Sequence, residues 1–376
     1  MQTLVIKLTR MNWLLFLLMV ALSVFGFVCI YSATWMRENE YLSSSWERQL
    51  NWFWIGLVAY FTMAFVPYRW LKYLALPTYL IGVILLVVVH FKGEVASGAR
   101  SWLDLGFITF QPSQIALFGV ILLIAAAFSF WKVPLKKWQF LQVIIAGVIV
   151  SAPLILIIEQ PDLGSAMVLG PVFIFMLFAA GVQKRYLITM LLAAAIVIPI
   201  GVNFFLKDYQ KDRLLVFLDP ELDPQGAGWT INQSLTAIGS GGMYGKGFRA
   251  EGTLTELGFL PKTVIHNDFI FPVIAETFGF VGGAALIALF ALLLITVVYI
   301  AQRAADDFGA VVTTGIAAVL FTHVFINIGM TNGLTPITGL PLPLISYGGT
   351  FMLIIMGMLG VVQSVAVHRR PIDAGR

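Results

Sequence analysis

The residue best placed to do chemistry is Asp268, which follows His266 and Asn267 and precedes the apolar run Phe269 to Ala275. A carboxylate where a polar segment enters an apolar one is partly desolvated. Its pKa then rises unless cations or amides compensate, and a raised value suits a general base. The same junction also suits a helix N-cap, in which aspartate accepts the first free amides of the helix. Glu276 stands eight residues further on, about 12 Å along a helix at 1.5 Å per residue. An acid at that depth needs an ion-pair partner or a wet substrate path.

Upstream, Gly239, Ser240, Gly241, Gly242, Gly245 and Gly247 crowd around Lys246 and close to Arg249. This composition suits a concavity that turns amides onto an anion, with a phosphate at a membrane surface as the natural ligand. It equally suits a tight turn between two short helices. Asp162 lies in Glu159-Gln160-Pro161-Asp162-Leu163-Gly164, a sharp turn where capping is the default reading. Further polar groups in or near apolar runs are Gln114, Asn203, His323 and Asn327. His90 and His323 have no second ligand at helical spacing, so hydrogen bonding is expected of them rather than metal binding. Cys29 is the one cysteine and rules out both a disulfide framework and a thiolate metal site. With no GxxxxGK[ST] segment, nothing points to a nucleotide site.

The elements that must position these groups are apolar helices. The 376 residues are 59% hydrophobic and 11% charged, and mean hydropathy is +0.91. A soluble domain is about 25% charged. The expected fold class is therefore an all-α polytopic membrane protein, a single domain over 1–376. Its ten expected spans are about 13–32, 50–67, 74–91, 112–130, 139–158, 164–181, 186–206, 269–300, 309–331 and 348–367. The first span has no small-residue cleavage site and reads as an uncleaved helix. Placing both termini in the cytoplasm puts 13 of 23 Lys and Arg inside and only Arg37, Arg48, Lys92 and Arg100 in short outer loops. That asymmetry is the positive-inside rule. Of 19 acids, 15 then lie outside, so the chemistry is expected on the outer face. The basic residues are scattered, which argues against nucleic acid. The long interruption, about 207–268, should carry short interfacial helices at Leu214–Leu218 and Ile231–Ile238. Pro153, Pro171 and Pro199 should kink their helices and open room for a lipid.

The segment Asn327 to Thr350, NIGMTNGLTPITGLPLPLISYGGT, resembles the C-terminal signature of the shape, elongation, division and sporulation (SEDS) family, with Pro336, Gly339, Ser346, Gly348 and Gly349 in place. GARSWLDLG at Gly98 to Gly106, QPDLGS at Gln160 to Ser165 and DPELDPQGAGWTINQSLTAIGSGGMYGKG at Asp219 to Gly247 agree as well. The resemblance spans essentially the whole chain, and DYQKDR with the short tails is more similar to the elongation branch, typified by RodA, than to the division branch.

That resemblance implies a peptidoglycan glycosyltransferase that polymerises lipid II on the outer face of the bacterial cytoplasmic membrane. It also implies a class B penicillin-binding protein and other elongation-complex membrane proteins as partners. In the family the catalytic aspartate lies in a motif like H-T-D-F, matched here by His266 to Phe269, which assigns catalysis to Asp268. Substrate-binding candidates are Arg213, Gln233, Ser234, Lys246, Arg249, His266, Trp102, Asp162, Glu276 and Ser346. Lys246, Arg249, Arg213 or a divalent cation, Mg or Mn, would stabilise the leaving pyrophosphate, and no metal ligands are identified. The chain departs from the family at Gln114 and Leu117, where a glutamate and a lysine are usual, at Ser101 for an arginine, at Phe351 for a small residue, and in a longer stretch between Pro261 and His266. Two other readings are a lipid II flippase, since kinked helices and buried polar groups suit translocation, and a catalytically weak scaffold, since Gln114 and Leu117 replace a charged pair. A flippase should carry polar groups on both faces, which this chain does not.

Overall fold

Apolar runs of about 20 residues have one stable form in a bilayer, the helix, because every peptide group must be bonded within the segment. The computed structural model describes residues 7–35, 40–96, 99–104, 106, 109–131, 139–205, 208–260 and 265–369. Each expected apolar segment is a helix: α1 Trp13–Thr34, α2 Ser45–Phe65, α3 Leu71–Lys92, α4 Pro112–Phe130, α5 Gln139–Glu159, α6 Leu163–Ala179, α7 Lys184–Phe205, α10 Ile270–Gln302, α11 Asp307–Thr331 and α12 Gly349–Val367. Among the described residues, eight are long and apolar enough to cross a membrane. The other two are α6, of 17 residues, and α2, whose first turns carry Glu47, Arg48 and Gln49. The protein is thus a multi-pass helical membrane protein.

Two more helices, α8 Asp208–Leu218 and α9 Ala227–Ser240, make the long interruption mostly helical. They extend the short interfacial helices expected at Leu214–Leu218 and Ile231–Ile238. The only strands among the described residues form a small antiparallel sheet, β1 Glu94–Ala96, β2 Ala99–Asp104 and β3 Thr109–Phe110. α11 and α12 are buried along most of their length, and α7 is almost wholly exposed to the surroundings. α2 packs along α12. Where α2 gives way to α3, Ser364 of α12 supplies the missing bonds: its Oγ donates to Val66 O at 2.6 Å and accepts from Tyr68 N at 3.0 Å.

α10 is not one continuous helix. Gly279 has φ 67° and ψ −166°, a conformation open essentially to glycine alone. The break frees carbonyls on one side and amides on the other, and the glycine run after α9 takes both sets. Lys246 N donates to Glu276 O at 2.9 Å and Gly247 N to Thr277 O at 3.1 Å. In return Phe280 N donates to Gly242 O at 2.8 Å and Val281 N to Met243 O at 3.1 Å. A side chain on Gly279 would collide with the backbone of Gly245. The glycines therefore form a strap that completes a broken helix. Of the two readings of this run, anion cradle or tight turn, the turn is the one these bonds favour, because the amides of Lys246 and Gly247 are spent on α10.

Candidate functional site

Asp268 lies in the turn of residues 265–269 that leads into α10. The N-cap of α10 is Phe269, and no side chain caps it. The capping reading of Asp268 therefore falls, and no hydrogen bond among the described residues occupies its carboxylate.

The backbone carbonyls of the turn, by contrast, are held. Three successive carbonyls accept bonds: His266 O from Tyr347 N at 2.8 Å, Asn267 O from Ser346 Oγ at 2.5 Å, and Asp268 O from Asn327 Nδ2 at 2.9 Å. Asn327 is fully buried in α11 and also donates to Leu340 O at 2.7 Å. It thereby joins the Asp268 turn to the segment 332–348 between α11 and α12.

That segment cannot be a helix, because Pro336, Pro341 and Pro343 remove amides and fix φ. Its conformation comes from side chains. Ser346 Oγ accepts from Leu342 N at 2.8 Å while donating to Asn267, and Pro341 O lies 3.2 Å from His323 Nδ1. Gly339 has φ 73°, and a Cβ there would stand 3.2 Å from Asp268 Oδ2. The carboxylate thus rests against a residue with no side chain.

The first turns of α2 hold the far side. Gln49, 1% exposed, donates through Nε2 to Ser346 O at 3.1 Å and accepts at Oε1 from Gly348 N at 3.1 Å. Arg48 Nε donates to the Tyr347 hydroxyl at 2.9 Å, with its guanidinium 5.5 Å from the centre of that ring. The Tyr347 ring in turn packs on the buried His266 imidazole at 5.2 Å.

Burial pushes the Asp268 carboxyl up to about 7, the nearby Arg213 on α8 works against that shift, and the negative Asp162 adds to it. Asp162 caps α6, accepting from Ser165 N at 3.0 Å and from Gln111 Nε2 at 2.6 Å. Burial also raises Asp162, and those bonds oppose the rise. The structure therefore brings one carboxyl, Asp162, and one guanidinium, Arg213, within electrostatic reach of Asp268. A carboxyl raised in this way is suited to take up a proton near neutral pH.

The profile of the FtsW, RodA and SpoVE family, described as cell cycle protein, matches residues 12–371. The chain belongs to this family. The peptidoglycan glycosyltransferase MrdB of Escherichia coli (strain K12) is 41% identical over 360 residues, which cover 94% of this chain and 93% of that protein. One chain of a peptidoglycan synthase complex, solved to describe how polymerisation and crosslinking are coordinated, superposes with a TM-score of 0.80 at 32% identity, covering 95% of this chain and 97% of that one. The rod shape determining protein RodA of Thermus thermophilus superposes at 0.70 with 28% identity, covering 96% and 98%.

Other residues that the sequence nominated in this FtsW/RodA/SpoVE chain are employed away from Asp268. Lys246 Nζ pairs with Glu276 Oε1 at 2.8 Å. Glu276, 1% exposed, also accepts from Leu254 N at 2.6 Å, Thr255 N at 3.1 Å and Thr255 Oγ1 at 2.7 Å. That pair fastens residues 246–255 to the short arm of α10 and gives Glu276 the ion-pair partner that an acid at that depth needs. Arg249 bonds to the Tyr31 hydroxyl and lies over the rings of Tyr31, Trp35 and Phe248, so it tethers the loop to the C-terminal end of α1. Ser234 is buried and donates to Thr331 O at 2.7 Å, docking α9 on the end of α11, with Gln233 half-buried beside it. Trp102 is half-buried on β2 opposite Glu94. The sheet reaches the signature segment through Thr350 Oγ1, which donates to Thr109 O at 3.4 Å.

Gln114 and Leu117, where the family usually has a charged pair, are both buried in α4. Neutral residues in both places leave no lone charge there. Among the described residues no three His, Cys, Asp or Glu side chains converge as metal ligands. Gln49, Arg48 and Asn327 are the positions that sequence reasoning did not assign to the site.

Proposed function

We propose that this chain is a peptidoglycan glycosyltransferase that polymerises lipid II, with Asp268 as general base. The observation that carries the reading is a carboxylate with no capping duty, held by three backbone bonds and raised to about 7, with Arg213 as the nearby cation. A base poised near the working pH is what activation of a sugar hydroxyl needs. Asp268 takes the proton from the acceptor 4-hydroxyl as that oxygen bonds to the anomeric carbon of the donor. The bond from that carbon to the pyrophosphate oxygen breaks, and its electron pair leaves with undecaprenyl pyrophosphate. The anomeric centre is inverted. Arg213 is the cation best placed to meet the charge on the leaving group.

Two lipid-linked substrates require an apolar wall beside a polar catalytic edge. Phe271 and Ala275, about one and two turns below Asp268, line an apolar groove of about 650 Å³ between α9, α10 and α11, which suits a polyprenyl chain. Asp162 and Asp268 supply only two carboxyls, and both Asp162 oxygens already accept bonds. Two carboxyls are fewer than a Ca²⁺ cage uses but are the number that commonly holds Mg²⁺ beside substrate phosphates; a Mg or Mn ion held there would screen the pyrophosphate charge, and no step above passes through it.

The placement that fits this chemistry is the bacterial cytoplasmic membrane, with all ten helices crossing, both termini cytoplasmic and the Asp268 edge outside. The likeness to a member of a complex that couples polymerisation to crosslinking supports a class B penicillin-binding protein as partner. The test is polymerisation of purified lipid II by the purified protein with and without that transpeptidase. Glycan strands are expected with the partner present and none from Asp268→Asn. A folded Asp268→Asn protein that still makes polymer overturns the assignment.

A further inference from the structure

We infer that Gln49 is a positioning residue for Asp268, acting through the residues on either side of Tyr347. The inference rests on the reading of Asp268 as the base.

The amide of Gln49 behaves as a peptide unit placed against the backbone. Its nitrogen donates to Ser346 O at 3.1 Å and its oxygen accepts from Gly348 N at 3.1 Å, so it grips both neighbours of Tyr347. Residues 346 and 347 are the two that hold the carbonyls immediately before Asp268, through Ser346 Oγ to Asn267 O and Tyr347 N to His266 O. One side chain of α2 therefore controls two of the three bonds that fix the Asp268 turn. The third, from Asn327, arrives from α11 independently. A glutamine uses both ends of its amide here, and Met352 Sδ lies 3.3 Å from the same Nε2, so the side chain has a single orientation.

A catalytic carboxylate moved by about 1 Å can lose on the order of a hundredfold in rate. Gln49 touches no reacting atom in this arrangement, and losing it should affect turnover more than substrate affinity. It should also alter the setting of the base. Asp268 is raised chiefly by burial and in part by Asp162, with Arg213 opposing. A turn freed from residues 346 and 347 admits water, and water favours the carboxylate.

The experiment compares wild type, Gln49→Leu, Gln49→Glu and Asp268→Asn, purified with the partner transpeptidase and scored per folded molecule from thermal unfolding. Polymerisation of lipid II is followed across pH 5 to 9 (about two units either side of neutral). For Gln49→Leu the expected result is a fall in kcat of about tenfold or more, KM for lipid II within about twofold, and an acid limb displaced to lower pH. Gln49→Glu keeps the acceptor for Gly348 and loses the donor to Ser346, so its kcat lies between the two, and it carries the test if Gln49→Leu does not accumulate. An inactive Asp268→Asn beside a Gln49→Leu with unchanged kcat and acid limb overturns this inference alone. An active Asp268→Asn overturns the base assignment and this inference with it.

Discussion

Gly339 and Asp268 face each other so closely that a methyl group on the first would stand 3.2 Å from Oδ2 of the second. Gly339 also sits at φ 73°, where a side chain costs roughly 1–2 kcal/mol. Gly339→Ala should therefore reduce polymerisation by about tenfold or more while insertion in the membrane is normal. Rate per folded molecule measures this, and full activity would mean that the carboxylate has room to retreat.

The base form of Asp268 is the working form, so activity should rise with pH and level off above about 7. Below that value the rate should fall about tenfold per unit. Arg213 lowers the pKa of Asp268 and Asp162 raises it. Arg213→Gln should accordingly move the acid limb to higher pH, and Asp162→Asn should move it to lower pH. Initial rates with saturating lipid II at each pH decide both signs.

Glu276 gathers Lys246 Nζ, Leu254 N and both donors of Thr255. Glu276→Leu leaves two amides and a lysine unserved, which should cost on the order of 3 kcal/mol. Lys246→Met should cost less, because the other donors remain on the carboxylate. In thermal unfolding both variants are less stable, while turnover per folded molecule stays within about twofold of wild type, since an indirect effect of this kind falls on stability. A large loss of turnover at normal stability would instead place Glu276 on the substrate.

Much of this architecture is legible in the amino-acid sequence. Apolar length alone locates the helices, because a bilayer leaves the backbone no other choice. Asp268 was legible from the change of composition on either side of it, and Asp162 from its turn. Gln49 was not, and Asn327 stood out only as a polar group in an apolar run, since what they hold is peptide backbone, which has no signature in sequence, and Gln49 reaches Ser346 across 297 residues. The glycine run was left open between two readings for a related reason. Its spacing is the same whether its amides meet a phosphate or the open end of a broken helix, and the break at Gly279 is hidden in a helical pattern that continues through it.

The neutral Gln114 and Leu117 invite a direct comparison. Gln114→Glu alone places a lone acid in buried surroundings and should lower the yield of folded protein, as a few kcal/mol would. Gln114→Glu with Leu117→Lys supplies the partner one turn away and should recover most of that yield. Expression and unfolding temperature of the two variants test this, and equal losses in both would refute the compensation.

The grip of residues 48 and 49 on residues 346 to 348 also bears on the chain while it is being made. The carboxylate emerges in the membrane roughly 80 residues before Tyr347 and Gly348 have been synthesised. Until those residues arrive and α12 settles beside α2, nothing closes two of the three bonds behind Asp268. A nascent or truncated chain ending short of residue 348 therefore carries the reactive residue without the means to aim it. Completion of the polypeptide is what supplies the last two bonds behind Asp268.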